Sequence, residues 1–193
     1  MTALPLLTAL LLTQAAPTDS LPFHRGEWAA QFAGGGNFTS LGFLEFRSPK
    51  RALVLDIRVS GGHSEQLRTD STGKHFSGAE SHATLSLRFG WRRYHPVGPK
   101  VAAYHSLGLL GGLSHNVAVV PGLRNTANAW NAGVFGDIGG SYFLTPSLSV
   151  GATISADIRY SDVYTHDSRN LKNRGWDLEG SAPGVGFVAA LYF

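Results

Sequence analysis

Apolar and polar residues alternate with a period of two along most of the chain, interrupted at intervals by Gly, Pro, Ser and Asn. This is the pattern of β-strands, and a 3.6-residue helical period is almost absent after Glu27. From Ala52 to Ser60, Leu53, Leu55, Ile57 and Val59 share one face while Val54, Asp56, Arg58 and Ser60 share the other. From Leu148 to Ser161 the same alternation runs unbroken for 14 residues. A strand in a soluble sandwich is usually about 5–6 residues long, so this length suits a tilted strand that crosses a bilayer and continues beyond it. Six further segments complete a predicted set of eight: Glu27 to Gly35, Thr39 to Arg47, Ala83 to Tyr94, Val101 to Gly111, Ala129 to Phe143 and Gly184 to Phe193.

The connections between these segments alternate in length. Those at 48–51 (SPKR), 95–100 (HPVGPK) and 144–147 (LTPS) are tight and carry Pro, whereas those at 61–82, 112–128 and 162–183 are long and polar. On the long side only the first, at 34–38, is short. Short turns at one end and long connections at the other are the asymmetry of an up-and-down transmembrane barrel with both termini on the short-turn, periplasmic side. The expected fold is therefore all-β, an eight-stranded antiparallel up-and-down transmembrane β-barrel, with ten strands as the alternative. Its lumen is just wide enough to be filled by side chains. No repeat beyond this hairpin rhythm and no linker divides the chain.

The charged face separates a barrel from a soluble sandwich, because a barrel turns its apolar face to lipid and its polar face inward. Facing the apolar sets outward sends Glu45, Asp56, Asp137 and Asp157 into the lumen together with Arg47, Arg58, Arg88, Arg92 and Arg159. Buried charges need partners, and a near-balanced set on adjacent strands supplies them. Every cation on these faces is Arg, whose planar fork suits bidentate pairing in a confined space. Trp28, Trp91, Tyr94, Trp130, Tyr142, Tyr160 and Tyr192 lie near strand ends, as an interfacial girdle would.

At the N-terminus, the apolar run at 2–13 ends in Gln14-Ala15-Ala16, the layout of an export signal cleaved after Ala15. The chain thus divides into a signal peptide at 1–15, a periplasmic N-terminal segment at 16–26 and the barrel at 27–193. At the other end, GVGFVAALYF alternates Val185, Phe187, Ala189 and Leu191 up to the aromatic Phe193. This ending resembles the C-terminal signature of bacterial outer-membrane barrels, and the stretches FRSPKRALVLDIRVS, LSLRFGWRRYHPVGPKVAAY and GGSYFLTPSLSVGATIS are similar to the small outer-membrane β-barrel family. The resemblance implies residence in the outer membrane, with lipid and lipopolysaccharide as surroundings and Phe193 as a signal for the barrel assembly machinery. The expected state is a monomer.

The remaining composition mostly excludes. There is no cysteine, only 15% of residues are charged, the net charge is +3, and Lys and Arg nowhere cluster densely enough to track a nucleic acid. The eight histidines lack HxH or HExxH spacing, so neither a metal site nor a cofactor is expected. One cluster carries possible chemistry: His166, Asp167 and Ser168, with Asp177 and Glu179 later in the same connection. A histidine oriented by a carboxylate can activate a serine for acyl transfer. The spacing resembles the His-x-Ser motif of outer-membrane lipid A deacylases, with Asp177 or Glu179 standing for the acid and Arg169 where that family has asparagine. The favoured reading is a structural or surface-interaction barrel without catalysis. A deacylase-like esterase is the alternative and a narrow channel the third. Basic residues of the outer connections, Arg68, Lys74, His75, Arg124, Arg169, Lys172 and Arg174, are the expected contacts to lipopolysaccharide phosphates.

Overall fold

The computed structural model describes residues 21–35, 38–69, 75–120, 123–167, 171–181 and 184–193. The predicted export signal lies outside the described residues, as does the chain up to residue 20. Nine strands follow one another: β1 (Trp28–Gly35), β2 (Phe38–Ser48), β3 (Arg51–Thr69), β4 (His75–Gly98), β5 (Val101–Val120), β6 (Leu123–Thr145), β7 (Leu148–Asp167), β8 (Lys172–Gly180) and β9 (Gly184–Tyr192). Each pairs antiparallel with its neighbours, and β1 pairs with both β2 and β9, which closes the sheet into a ring. At the seam Trp28 and Phe193 exchange both backbone hydrogen bonds, each at 2.9 Å.

The ring has eight staves, as the alternation predicts, because β8 and β9 occupy successive lengths of one stave. β9 lies along the first half of β7, from Leu148↔Leu191 to Ser155↔Gly184, and β8 along its second half, from Ile158↔Gly180 to His166↔Lys172. Between them the register slips by one residue. Ser181 bridges the slip, donating its N–H to the Asp157 carbonyl at 2.9 Å and accepting the Asp157 N–H on its hydroxyl at 3.0 Å. The ten-strand alternative is thereby set aside.

Strand lengths are unequal. β1 and β2 hold 8 and 11 residues, whereas β3 to β7 hold 19 to 24. The long polar connections expected at 61–82, 112–128 and 162–183 are largely strand: β3 and β4 stay paired from Gly61↔Ala83 to Thr69↔His75, and β5 and β6 from Gly112↔Asn131 to Val120↔Leu123. An antiparallel ladder satisfies backbone N–H and C=O groups whatever its side chains, so pairing outlasts the apolar alternation that reveals it within lipid. β3 to β8 therefore rise as a sheet above the short β1–β2 hairpin.

The outer face of the ring is apolar. Leu55, Leu87, Phe89, Leu107, Leu109, Ile138, Ile154, Ile158 and Phe187 all point away from the lumen and are exposed. Trp28, Trp91, Trp130, Tyr142 and Tyr160 stand on this face near its two edges. Tyr94 and Tyr192 do not, since they are buried in the lumen. There they join Phe46, Tyr104 and Phe143 around Phe23, whose ring stacks on Phe46 with centroids 4.2 Å apart and lies 4.9 Å from Tyr94 and 5.0 Å from Tyr192. Phe23 precedes β1, so the segment expected merely to lead into the barrel stoppers its short-turn end. A glycine makes room for this packing: Tyr104 lies where a side chain on Gly139 would be.

Two residues assigned to the lumen belong outside. Glu45 and Arg47 lie on the outer face beside Leu53 and Trp28, paired with each other at 2.9 Å near the β2–β3 turn. The inward set of β2 is Ser40, Gly42, Leu44 and Phe46. Both faces of β2 are apolar at this level because the lumen is lined with rings there, so charge does not mark the inner face.

Replacing Phe23 by Ala removes the centre of the aromatic layer and is expected to lower stability by about 3–5 kcal/mol, the usual cost of deleting a buried ring. Leu55→Arg, which sets a charge on the lipid face, is expected to cost about 2–4 kcal/mol. Urea unfolding in phospholipid vesicles measures both.

Candidate functional site

Above the aromatic layer the lumen holds a charge network built by direct cross-strand register. Asp56 of β3 faces Arg88 of β4, and Arg92 of β4 faces Ser106 of β5, which in turn faces Asp137 of β6. Arg88 is the hub. It donates from Nη1 to Asp56 Oδ2 at 3.4 Å and from Nη2 to Asp137 Oδ1 at 2.5 Å, and its guanidinium lies 3.7 Å above the Phe135 ring. Arg88, Asp56 and Asp137 are each about 5% exposed or less. Arg92 donates from Nε to Ser106 Oγ at 2.9 Å, rests 4.1 Å over Tyr104, and reaches across the lumen to Gln31 Oε1 on β1. These bonds span the ring from wall to wall.

Arg58 and the Asp157–Arg159 pair flank this hub. Arg58 approaches Asp56 Oδ2 only to 4.0 Å and sits 4.1 Å over Phe38, whereas Arg159 grips Asp157 Oδ1 at 2.7 and 2.8 Å. The seven remaining predicted lumen charges, Asp56, Arg58, Arg88, Arg92, Asp137, Asp157 and Arg159, thus all face inward, as alternation expects. Gln31, Ser106 and Tyr94 complete the network. Tyr94 shares the strand parity of Arg88 and Arg92, a signal that its interfacial residue type concealed. The space left among these groups is about 10 Å³, room for about one water.

Toward the long-strand end the lumen widens into a polar vestibule of about 280 Å³ lined by Glu80, His82, Asn131, Arg159, Ser161 and Glu179 among others. On the outer face just beyond the apolar belt, Arg174 of β8 clasps Asp162 of β7 through Nε to Oδ1 at 3.0 Å and Nη2 to Oδ2 at 2.5 Å. Trp130 Nε1 donates to the same carboxylate at 3.2 Å, and Trp130 and Trp176 flank Tyr160. The Arg174 hydrogen bonds hold the Asp162 carboxyl below its ordinary pKa. A depressed carboxylate pKa means that the clasp holds at neutral pH and is lost as pH falls through the Asp162 value.

Of the acyl-transfer candidates, His166 is not brought together with Asp177 or Glu179. His166 pairs with Lys172 and points to the outer face. Asp177 and Glu179 lie opposite Ser161 and Arg159, whose side chains point inward. Strand alternation thus sets the histidine and both acids on opposite faces of the sheet. Ser168 lies outside the described residues, as do the Asp167 side chain, Arg169, Lys74 and the side chains of Arg68 and His75. Arg124, Lys172 and Arg174 are exposed on the projecting sheet. Among the described residues no group of His, Asp and Glu is arranged to hold a metal ion.

No family profile and no curated protein match the chain. Solved structures do. A major outer membrane protein from Thermus thermophilus superposes with a TM-score of 0.55 at 17% identity, covering 86% of this chain and 99% of that one. The outer membrane protein OprG from Pseudomonas aeruginosa superposes with a TM-score of 0.55 at 12% identity, covering 90% and 99% respectively. The chain has the fold of the small outer-membrane β-barrels. Its closed eight-stave ring and apolar outer belt are what that location demands of a barrel.

Removing the hub should expose the cost of the network. Arg88→Leu strands Asp56 and Asp137 and is expected to destabilise the barrel by about 3–5 kcal/mol. Arg58→Leu is expected to cost less, because Arg58 is farther from Asp56 and partly exposed. The triple replacement of Asp56, Arg88 and Asp137 by Leu, Leu and Leu should recover most of the Arg88→Leu loss. Unfolding titrations of the three variants in one lipid make the comparison.

Proposed function

We propose that this chain is a monomeric outer-membrane barrel that serves as a rigid stand for the sheet it projects from the cell, with a structural or surface-interaction role and no catalysis. The observation that carries this reading is the division of the molecule. Its lumen is filled across its width by the Arg88 and Arg92 networks and stoppered by Phe23, while β3 to β8 continue well past the apolar belt. A stand needs a stiff base, and cross-lumen hydrogen bonds supply it.

The short turns and Phe23 lie on the periplasmic side in this reading, and the projecting hairpins lie outside. Arg174 on β8, just beyond the apolar belt, and Lys172 at the outer end of the β7–β8 ladder meet the phosphates of lipopolysaccharide. Phe193, which zips the seam to Trp28, presents its exposed ring where the assembly machinery reads the final strand. The faces on which His166, Asp177 and Glu179 lie favour this reading over the esterase, and the filled lumen favours it over the channel.

Protease added to intact cells should cleave an epitope tag inserted at 70–74 and spare one inserted at 49–50. The reverse pattern would invert the orientation. In the same cells, deletion of Phe193 should deplete the outer-membrane fraction, and Lys172→Gln with Arg174→Gln should reduce lipopolysaccharide co-purification. Wild type and His166→Ala should give the same lipid A acyl pattern, and the purified barrel should give no steady conductance in planar bilayers. Loss of an acyl chain that depends on His166 would replace the structural reading with the esterase.

A further inference from the structure

The outer face carries a second charged feature at the opposite end from the projecting sheet. Arg51 of β3 and Arg93 of β4 are direct cross-strand partners, both exposed on the lipid-facing side. Like charges placed opposite each other in a ladder repel. Neither arginine makes an ion pair among the described residues. Arg47 and Lys50 stand beside them, and together with Ser48 and Pro49 the four cations line an open groove of about 660 Å³ that contains no carboxylate. Glu45, on the same face, is engaged by Arg47 at 2.9 Å. His105 follows Arg93 in the next strand, and His95 stacks on it with centroids 5.2 Å apart.

The wall immediately toward the membrane centre is apolar. Leu53 and Trp91 occupy the next outward row above Arg51 and Arg93, and Leu55 and Phe89 the row after that. Trp91 is 65% exposed, and Leu107 and Leu109 on the adjoining β5 are equally so. Cations at the strand ends below an apolar wall, with a tryptophan at the boundary, match the two parts of a lipid: an anionic headgroup, then acyl chains. Two guanidiniums held side by side can each direct paired N–H donors at one phosphodiester, and an anion between them relieves the repulsion that the register imposes.

We infer that Arg51 and Arg93, with Arg47 and Lys50, form a binding site for the phosphodiester headgroup of an anionic glycerophospholipid, whose acyl chains lie along Leu53, Trp91, Phe89 and Leu55. The assignment to the glycerophospholipid leaflet rests on the periplasmic placement of the short turns proposed above. The site is distinct from the lipopolysaccharide contacts on β8, which lie at the other end of the strands.

Native mass spectrometry of the full chain released from detergent, titrated with phosphatidylglycerol or phosphatidylcholine, tests the site. The wild type should retain phosphatidylglycerol in preference to phosphatidylcholine. Arg51→Gln with Arg93→Gln should weaken phosphatidylglycerol retention about tenfold or more, and His115→Gln on the projecting sheet should leave it unchanged. Thermal unfolding in lipid-free detergent supplies a second measure. The double variant should melt no lower than the wild type, because a repulsion has been removed, and phosphatidylglycerol should raise the wild-type midpoint but not that of the variant. Equal retention by wild type and double variant, or no preference for the anionic lipid, would overturn the site. Displacement of phosphatidylglycerol by lipid A from the wild type, dependent on Arg51 and Arg93, would overturn the leaflet assignment. Orientation itself is read separately by the tag cleavage pattern, so a failed leaflet assignment and a failed site give different results.

Discussion

A strand in hydrocarbon has no water to satisfy its backbone, so a sheet that crosses a bilayer must have no free edge within it. The pairing of β1 with β9, closed at the seam by the reciprocal bonds of Trp28 and Phe193, meets that requirement. Closure with eight staves makes the interior narrow, and a narrow interior is filled by whatever side chains the strands turn inward. Outside the lipid the requirement lapses. There β3 and β8 run on with edges that no strand in the ring covers, since β1 and β2 end below them.

Filling the lumen with charge instead of hydrocarbon has a consequence for stiffness. Each guanidinium of the central layer reaches a carboxylate, an amide or a ring on another strand, and the Arg92–Gln31 bond joins walls that are not neighbours in the ring. Such groups are costly when unpaired, so the layer is held as a unit. Beneath it, Phe23 brings the chain before β1 into the same packing. The result is a lumen closed across its width by hydrogen bonds and stacked rings.

The outer surface is graded along the strands. Basic groups end β3 and β4 at the turns, apolar rows follow, and the Trp130, Tyr160 and Trp176 cluster with the Asp162–Arg174 clasp marks the far boundary. Cations at both ends of an apolar belt suit a membrane whose two faces both carry phosphates, which is the basis of the lipid contacts proposed above.

Alternation and the lengths of the connections determined that this is an antiparallel barrel and which residues of β3 and β7 face lipid, because a period of two with one apolar face admits one inside and one outside. The choice of eight staves over ten came only with the shared stave of β8 and β9. Alternation fails where both faces are apolar. It sends Glu45 and Arg47 inward because Leu44 and Phe46 share their hydrophobicity with Leu41 and Phe43, and it sends Tyr94 and Tyr192 to the girdle because an aromatic at a strand end suits either place. Only the closed ring decided these. Partners in the lumen are set by distance across the barrel, between residues such as Gln31 and Arg92 that lie far apart in sequence, and no local pattern encodes that distance. The same holds for Phe23, a lone aromatic in an irregular segment, whose place depends on the width of a cavity that exists only once the eight strands have closed.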